Sequence, residues 1–112
     1  MNWRTLINRS KQWYHYQKQQ RAVLDTDISA FLRQFATLIT AGIPIIKACI
    51  ILEKSQEKTA LRLLIYGMKR EMQAGRQLAH SMRQHPAYFN EFLCQLIHLG
   101  EQTGKLLSLI HI

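Results

Sequence analysis

Apolar residues recur along most of this chain three and four positions apart, and glycine or proline interrupts them at intervals. That spacing gathers side chains on one face of an α-helix, and no strict alternation of the kind that marks a half-buried strand competes with it. The clearest stripe is Ile28, Phe31, Leu32, Phe35, Leu38 and Ile39. Asp25, Thr26 and Asp27 stand before it and predict a helix start, with an N-cap oxygen and negative charge in the first turn. Gly42 predicts its end, because glycine readily takes the left-handed conformation that closes a helix. Pro44 then suits the first turn of the next helix, where a missing N–H is no loss.

The second helix, over Ile45, Ile46, Cys49, Ile50 and Leu52, is apolar almost all round, which predicts that neighbours enclose it. The polar stretch from Glu53 to Thr59 ends it. A third helix follows with Leu61, Leu64, Ile65, Met68 and Met72 inward, and Arg62, Lys69, Arg70 and Glu71 largely on other faces. Gly67 inside it costs about 1 kcal/mol relative to Ala and implies a close helix–helix approach. Gly75 stops the third helix. A short fourth helix carries Leu78, Ala79 and Met82 and ends at His85-Pro86, since a residue before proline is pushed out of the helical region. Tyr88, Phe89, Phe92, Leu93, Leu96 and Ile97 mark a fifth, Gly100 and Gly104 bracket a turn, and Leu106, Leu107 and Ile110 begin a sixth. Short loops make successive helices antiparallel neighbours. The predicted fold is therefore all-α, an antiparallel six-helix bundle made of three helical hairpins. Ala41-Gly42 and Ala74-Gly75 fall at similar places without amounting to a sequence repeat.

One stretch, Phe35 to Leu52, holds a single charge, Lys47, and is apolar enough to raise the question of a membrane span. Gly42-Ile43-Pro44 breaks it in the middle, and a central lysine costs roughly 2.5–3.5 kcal/mol on insertion. Two buried helices joined by a turn are the expectation, and with it a soluble domain. No secretory signal opens the chain, because Asn8, Arg9, Ser10 and Lys11 interrupt the apolar residues there.

Charge divides the chain in two. Fifteen Lys and Arg against seven Asp and Glu give a formal +8 over 112 residues. Residues 1–24 hold Arg4, Arg9, Lys11, Lys18 and Arg21 with no acid, so they form a basic arm interleaved with Trp3, Trp13, Tyr14 and Tyr16. Residues 25–112 form the helical domain and are nearly balanced. A basic, aromatic arm fits an anionic neighbour: nucleic acid, lipid headgroups or an acidic protein surface. This length leaves room for one core and excludes a large multi-domain enzyme. Cys49 and Cys94 cannot build a disulfide scaffold, and lying in apolar runs they read as small buried hydrophobes. The five histidines have no ligand spacing; His80 and His85, five apart, do not share a helical face. No phosphate loop and no nucleophile–base pair is present. An enzyme is not expected.

Four segments in order carry a resemblance: Phe31 to Leu38 (FLRQFATL), Ala41-Gly42-Ile43-Pro44-Ile45, Gly75 to Met82 (GRQLAHSM) leading to His85-Pro86, and Gly100-Glu101-Gln102-Thr103-Gly104-Lys105-Leu106. Together they make the chain resemble the cytoplasmic domain of the type II secretion F and type IV pilus inner-membrane platform family. The resemblance implies a six-helix, often dimeric bundle. It implies a longer protein with two such domains and three membrane spans, on the cytoplasmic face of the bacterial inner membrane. It also implies a non-enzymatic role, in which contacts with an assembly ATPase and other inner-membrane assembly proteins couple that ATPase to pilin or pseudopilin movement. The sequence departs from the family in its 24-residue arm, in lacking a second domain and spans, and in Leu107 to Ile112, which holds no acid. These departures lead to the expectation of a fragment or truncated product whose last helix is cut short and whose final residues are not native.

Within that frame Glu101 has two readings. Its carboxylate caps the free N–H groups at the start of helix six and complements the helix dipole. Alternatively it is a calcium or dimer-interface ligand, since calcium occurs in some relatives, although calcium requires six to eight oxygens. Arg33 and Gln34 flank the inward stripe of helix one, either solvated or as part of a surface that meets a partner or a second subunit. The arm residues would rest on anionic lipid. The competing function is a small basic helical protein that binds nucleic acid through the 1–24 arm, with the near-neutral domain weighing against it.

Overall fold

The computed structural model describes residues 22–104 together with Trp3 and Gln12. The described residues form five helices and no strand: α1 (Asp25–Thr40), α2 (Ile45–Ser55), α3 (Thr59–Gln73), α4 (Leu78–Arg83) and α5 (Glu91–Thr103). The expected sixth helix over Leu106, Leu107 and Ile110 lies outside the described residues, as do Arg4, Arg9, Lys11, Lys18 and Arg21 of the arm. Each helix packs chiefly on its neighbour in chain order. One core joins all five, with Ile28, Phe31 and Phe35 of α1 meeting Cys49, Leu64, Ile65, Met68, Met82, Cys94 and Ile97. The rings of Phe31 and Phe35 lie 5.7 Å apart. The inward positions expected of α3 and α4 are all buried.

The break within the apolar stretch is a turn. Gly42 has φ +88°, and the Gly42 and Ile43 N–H groups donate back to the Ile39 and Leu38 carbonyls. Gly75 repeats this arrangement with φ +93°, donating with Arg76 to the Met72 and Glu71 carbonyls. The two Ala-Gly pairs are thus one device used twice, the Schellman closure, in which a left-handed residue lets the last carbonyls be satisfied. No helix among the described residues is long and apolar enough to cross a membrane.

Four local expectations need correction. The N-cap of α1 is Leu24, not Asp25; its N–H donates to Asp27 Oδ2 at 2.8 Å, so Asp27 serves from the third helical position. Gly100 marks no turn, for α5 runs through it and it is buried; Gly104, at φ +71°, closes the helix. The fifth helix begins at Glu91 and not Tyr88, because Asn90 Oδ1 accepts the Leu93 N–H at 2.8 Å and caps it there. Finally, α2 is not enclosed all round, since Ile51 is exposed and Ile45, Ile46 and Ile50 are half-buried. At Gly67 no close helix–helix approach is seen: a methyl group there would meet only the His85 imidazole of the connection after α4, at 3.7 Å, an ordinary contact.

Candidate functional site

Glu101 sits in the last turn of α5, where the negative end of that helix disfavours a carboxylate. The carboxylate reaches out of its own helix. Oε2 accepts the Leu78 N–H and Oε1 the Ala79 N–H, both at 2.8 Å. These are the first two residues of α4, whose N-cap, Gln77, makes no side-chain cap of its own. Free N–H groups at a helix start need acceptors, and a single carboxylate arriving from 22 and 23 residues away satisfies two of them. Glu101 caps helix-start N–H groups, those of α4; the expected recipient, helix six, lies outside the described residues. Among the described residues no group of three or more His, Cys, Asp or Glu gathers in one place.

A second carboxylate fastens the other end of the domain. Asp27 Oδ2 accepts from Lys58 Nζ at 2.6 Å as well as from the Leu24 N–H, and Lys58 also reaches the Ala22 carbonyl at 3.4 Å. Burial pushes the Asp27 carboxyl up, but the Lys58 and Leu24 hydrogen bonds and the Lys58 charge outweigh it and hold it below its ordinary 3.8. A further ion pair ties α2 to α3 through Glu53 and Lys69 at 2.6 Å; Glu71 of α3 pairs with Arg76 of the following connection at 3.3 Å and stands 3.6 Å from His80 of α4.

Arg33 and Gln34 are both exposed on α1. Gln34 lines a shallow groove with Thr37 and Leu38 of α1 and Ile51, Leu52 and Ser55 of α2, and its lining is mainly apolar. The structure therefore separates the candidate interaction residues: Gln34 opens on this groove, whereas Glu101 is engaged at α4. Both cysteines are free thiols and buried. Burial pushes the Cys49 thiol up to about 12, against the opposing charge of Lys69, and burial likewise raises Cys94.

Comparison with known proteins places the chain in a family. The model of the family described as "Type II secretion system (T2SS), protein F" matches residues 31–111. The chain belongs to that family. The type IV pilus assembly protein PilC of Pseudomonas aeruginosa is 37% identical over 90 residues, covering 80% of this chain and 24% of that protein. TapC, the type IV pilus assembly protein of Aeromonas hydrophila, is 32% identical over 80 residues, 71% of this chain and 19% of that protein. The type II secretion system protein F of Vibrio cholerae is 25% identical over 91 residues, 81% of this chain and 22% of that protein. The chain thus spans about a fifth to a quarter of the length of these relatives.

Two partnerships had no signal in the sequence. Lys58 lies 31 residues from Asp27, and Leu78 lies 23 from Glu101. No helical spacing links either pair, and a leucine N–H carries no mark that it lacks an acceptor. Asn90 did carry one, as an Asn three residues before Leu93 ahead of an apolar run.

Proposed function

We propose that this chain is a cytoplasmic-face domain of an inner-membrane assembly platform for type II secretion or type IV pilus biogenesis. It works without chemistry of its own, by contacts that couple the assembly ATPase to pilin or pseudopilin movement. The observation that carries the reading is the family match over residues 31–111, which includes most of the packed core. The character of the domain supports it: its thiols are buried, and Asp27, Glu53 and Glu101 are spent on capping and pairing. In this reading residues 25–112 complete three antiparallel hairpins with the sixth helix, the domain pairs with a second copy, and the 1–24 arm lies on anionic lipid through Arg4, Arg9, Lys11, Lys18 and Arg21. The positive arm suits the positive-inside tendency of membrane proteins.

The test is direct binding of the 112-residue chain to the cognate assembly ATPase and inner-membrane assembly proteins, read by calorimetry, with oligomeric state read by light scattering. The reading expects a dimer and binding to at least one of these proteins. A chain that stays monomeric at high concentration and binds none of them overturns it.

A further inference from the structure

The groove between α1 and α2 has a charge setting that its lining residues alone do not reveal. Its floor is apolar, with Leu52 buried and Leu38 half-buried, and Ile51 stands on its edge 39% exposed. On α2, Lys47 and Lys54 are exposed and lie one turn to either side of Ile51. On α1, exposed Arg33 precedes Gln34 and lies one turn before Thr37, whose hydroxyl donates to the Arg33 carbonyl at 2.9 Å. Three cations therefore stand beside an apolar groove, two along one wall and one along the other. Of the carboxylates on this side of the bundle, Glu53 pairs with Lys69 and Asp27 with Lys58.

We infer that the α1–α2 groove is a docking site for an amphipathic helix of a partner protein that carries acidic residues beside its apolar stripe. The apolar floor takes the stripe, and Arg33, Lys47 and Lys54 meet the flanking carboxylates. A helix suits the site better than an extended strand, since the backbone groups of both walls are spent within their own helices and offer no ladder to pair with. A second copy is a poor occupant, because a symmetric contact at this face would set the same three cations against each other. The inference goes beyond the platform reading and does not depend on which machine the chain serves.

The test titrates the ¹⁵N-labelled 112-residue chain with two designed helical peptides of one apolar stripe, flanked by Glu in one and by Lys in the other. Vesicles of phosphatidylglycerol and a dilution series of the chain alone serve as the other arms. The inference expects the Glu peptide to move the amides of Leu38, Ile51 and Ser55 and to bind at least about tenfold more tightly than the Lys peptide. In the triple variant Arg33→Glu, Lys47→Glu, Lys54→Glu that preference reverses, with the helical circular dichroism and Tm retained because all three side chains are exposed. Equal binding of the two peptides, shifts that cluster elsewhere, or no shift at millimolar peptide overturns it. So does movement of the same amides by vesicles or by self-dilution alone, which would make the occupant lipid or a second copy.

Discussion

Asp27 and Glu101 do similar work at opposite ends of the described chain, and they do it by different routes. Asp27 caps locally: it sits inside the helix it caps, takes the Leu24 N–H, and then adds a lysine from the α2–α3 connection. Glu101 caps remotely: it sits at the unfavourable end of α5 and gives both oxygens to the start of α4. The first carboxylate improves a helix start whose acidic first turn was already favourable. The second stabilises a helix of only six residues, too short to persist without tertiary support. Short elements thus depend most on acceptors brought from elsewhere in the chain.

Truncating the remote cap should cost most. Glu101→Ala leaves two helix-start N–H groups without their charged acceptor, an expected loss of about 3 kcal/mol by denaturant unfolding. Hydrogen exchange should quicken first at the amides of Leu78 and Ala79. Glu101→Gln keeps one carbonyl oxygen and should cost about half as much. Asp27→Asn retains an oxygen for the Leu24 N–H and loses only the charge on Lys58, so about 1 kcal/mol is expected. An Asp27→Asn loss as large as that of Glu101→Ala would erase the distinction between local and remote capping.

The smallest effect is a pH dependence. The Asp27 carboxyl titrates below 3.8 in the folded chain, so its stabilisation is complete above that value and is lost as pH falls through the folded pKa. Asp27→Asn should flatten the acid limb of the stability profile below about pH 4. An unchanged limb in the variant would show that Asp27 gains nothing from Lys58.

Much of this frame was legible in the residue order, since helix periodicity and helix closure are both local. The inward stripes of α3 and α4 were readable from apolar spacing, and the Gly42 and Gly75 closures from glycine's freedom in the left-handed region. Gly100 misled for the same reason that Gly42 informed: glycine permits a turn without requiring one, and here packing keeps it helical and buried. Tyr88 and Phe92, expected to mark the fifth helix, are both exposed: Tyr88 precedes the Asn90 cap where α5 starts, and Phe92 lies off the buried face of Cys94, Ile97 and Gly100. The candidate site was less legible. The role of Glu101 was readable in kind, but its recipient was not, since only the three-dimensional path of the chain brings Leu78 and Ala79 to it.

The Glu101 clamp has a mechanical side. A pull on the backbone where it leaves α5 reaches Glu101 within the last turn, and from there passes through two parallel hydrogen bonds into α4. Both bonds must break together before the two helices slide, so tension is shared between them and not unzipped one bond at a time. Glu71 of α3 lies 3.6 Å from His80 of α4, so the same tug continues to α3. The end of α5 is thereby a handle on half the domain.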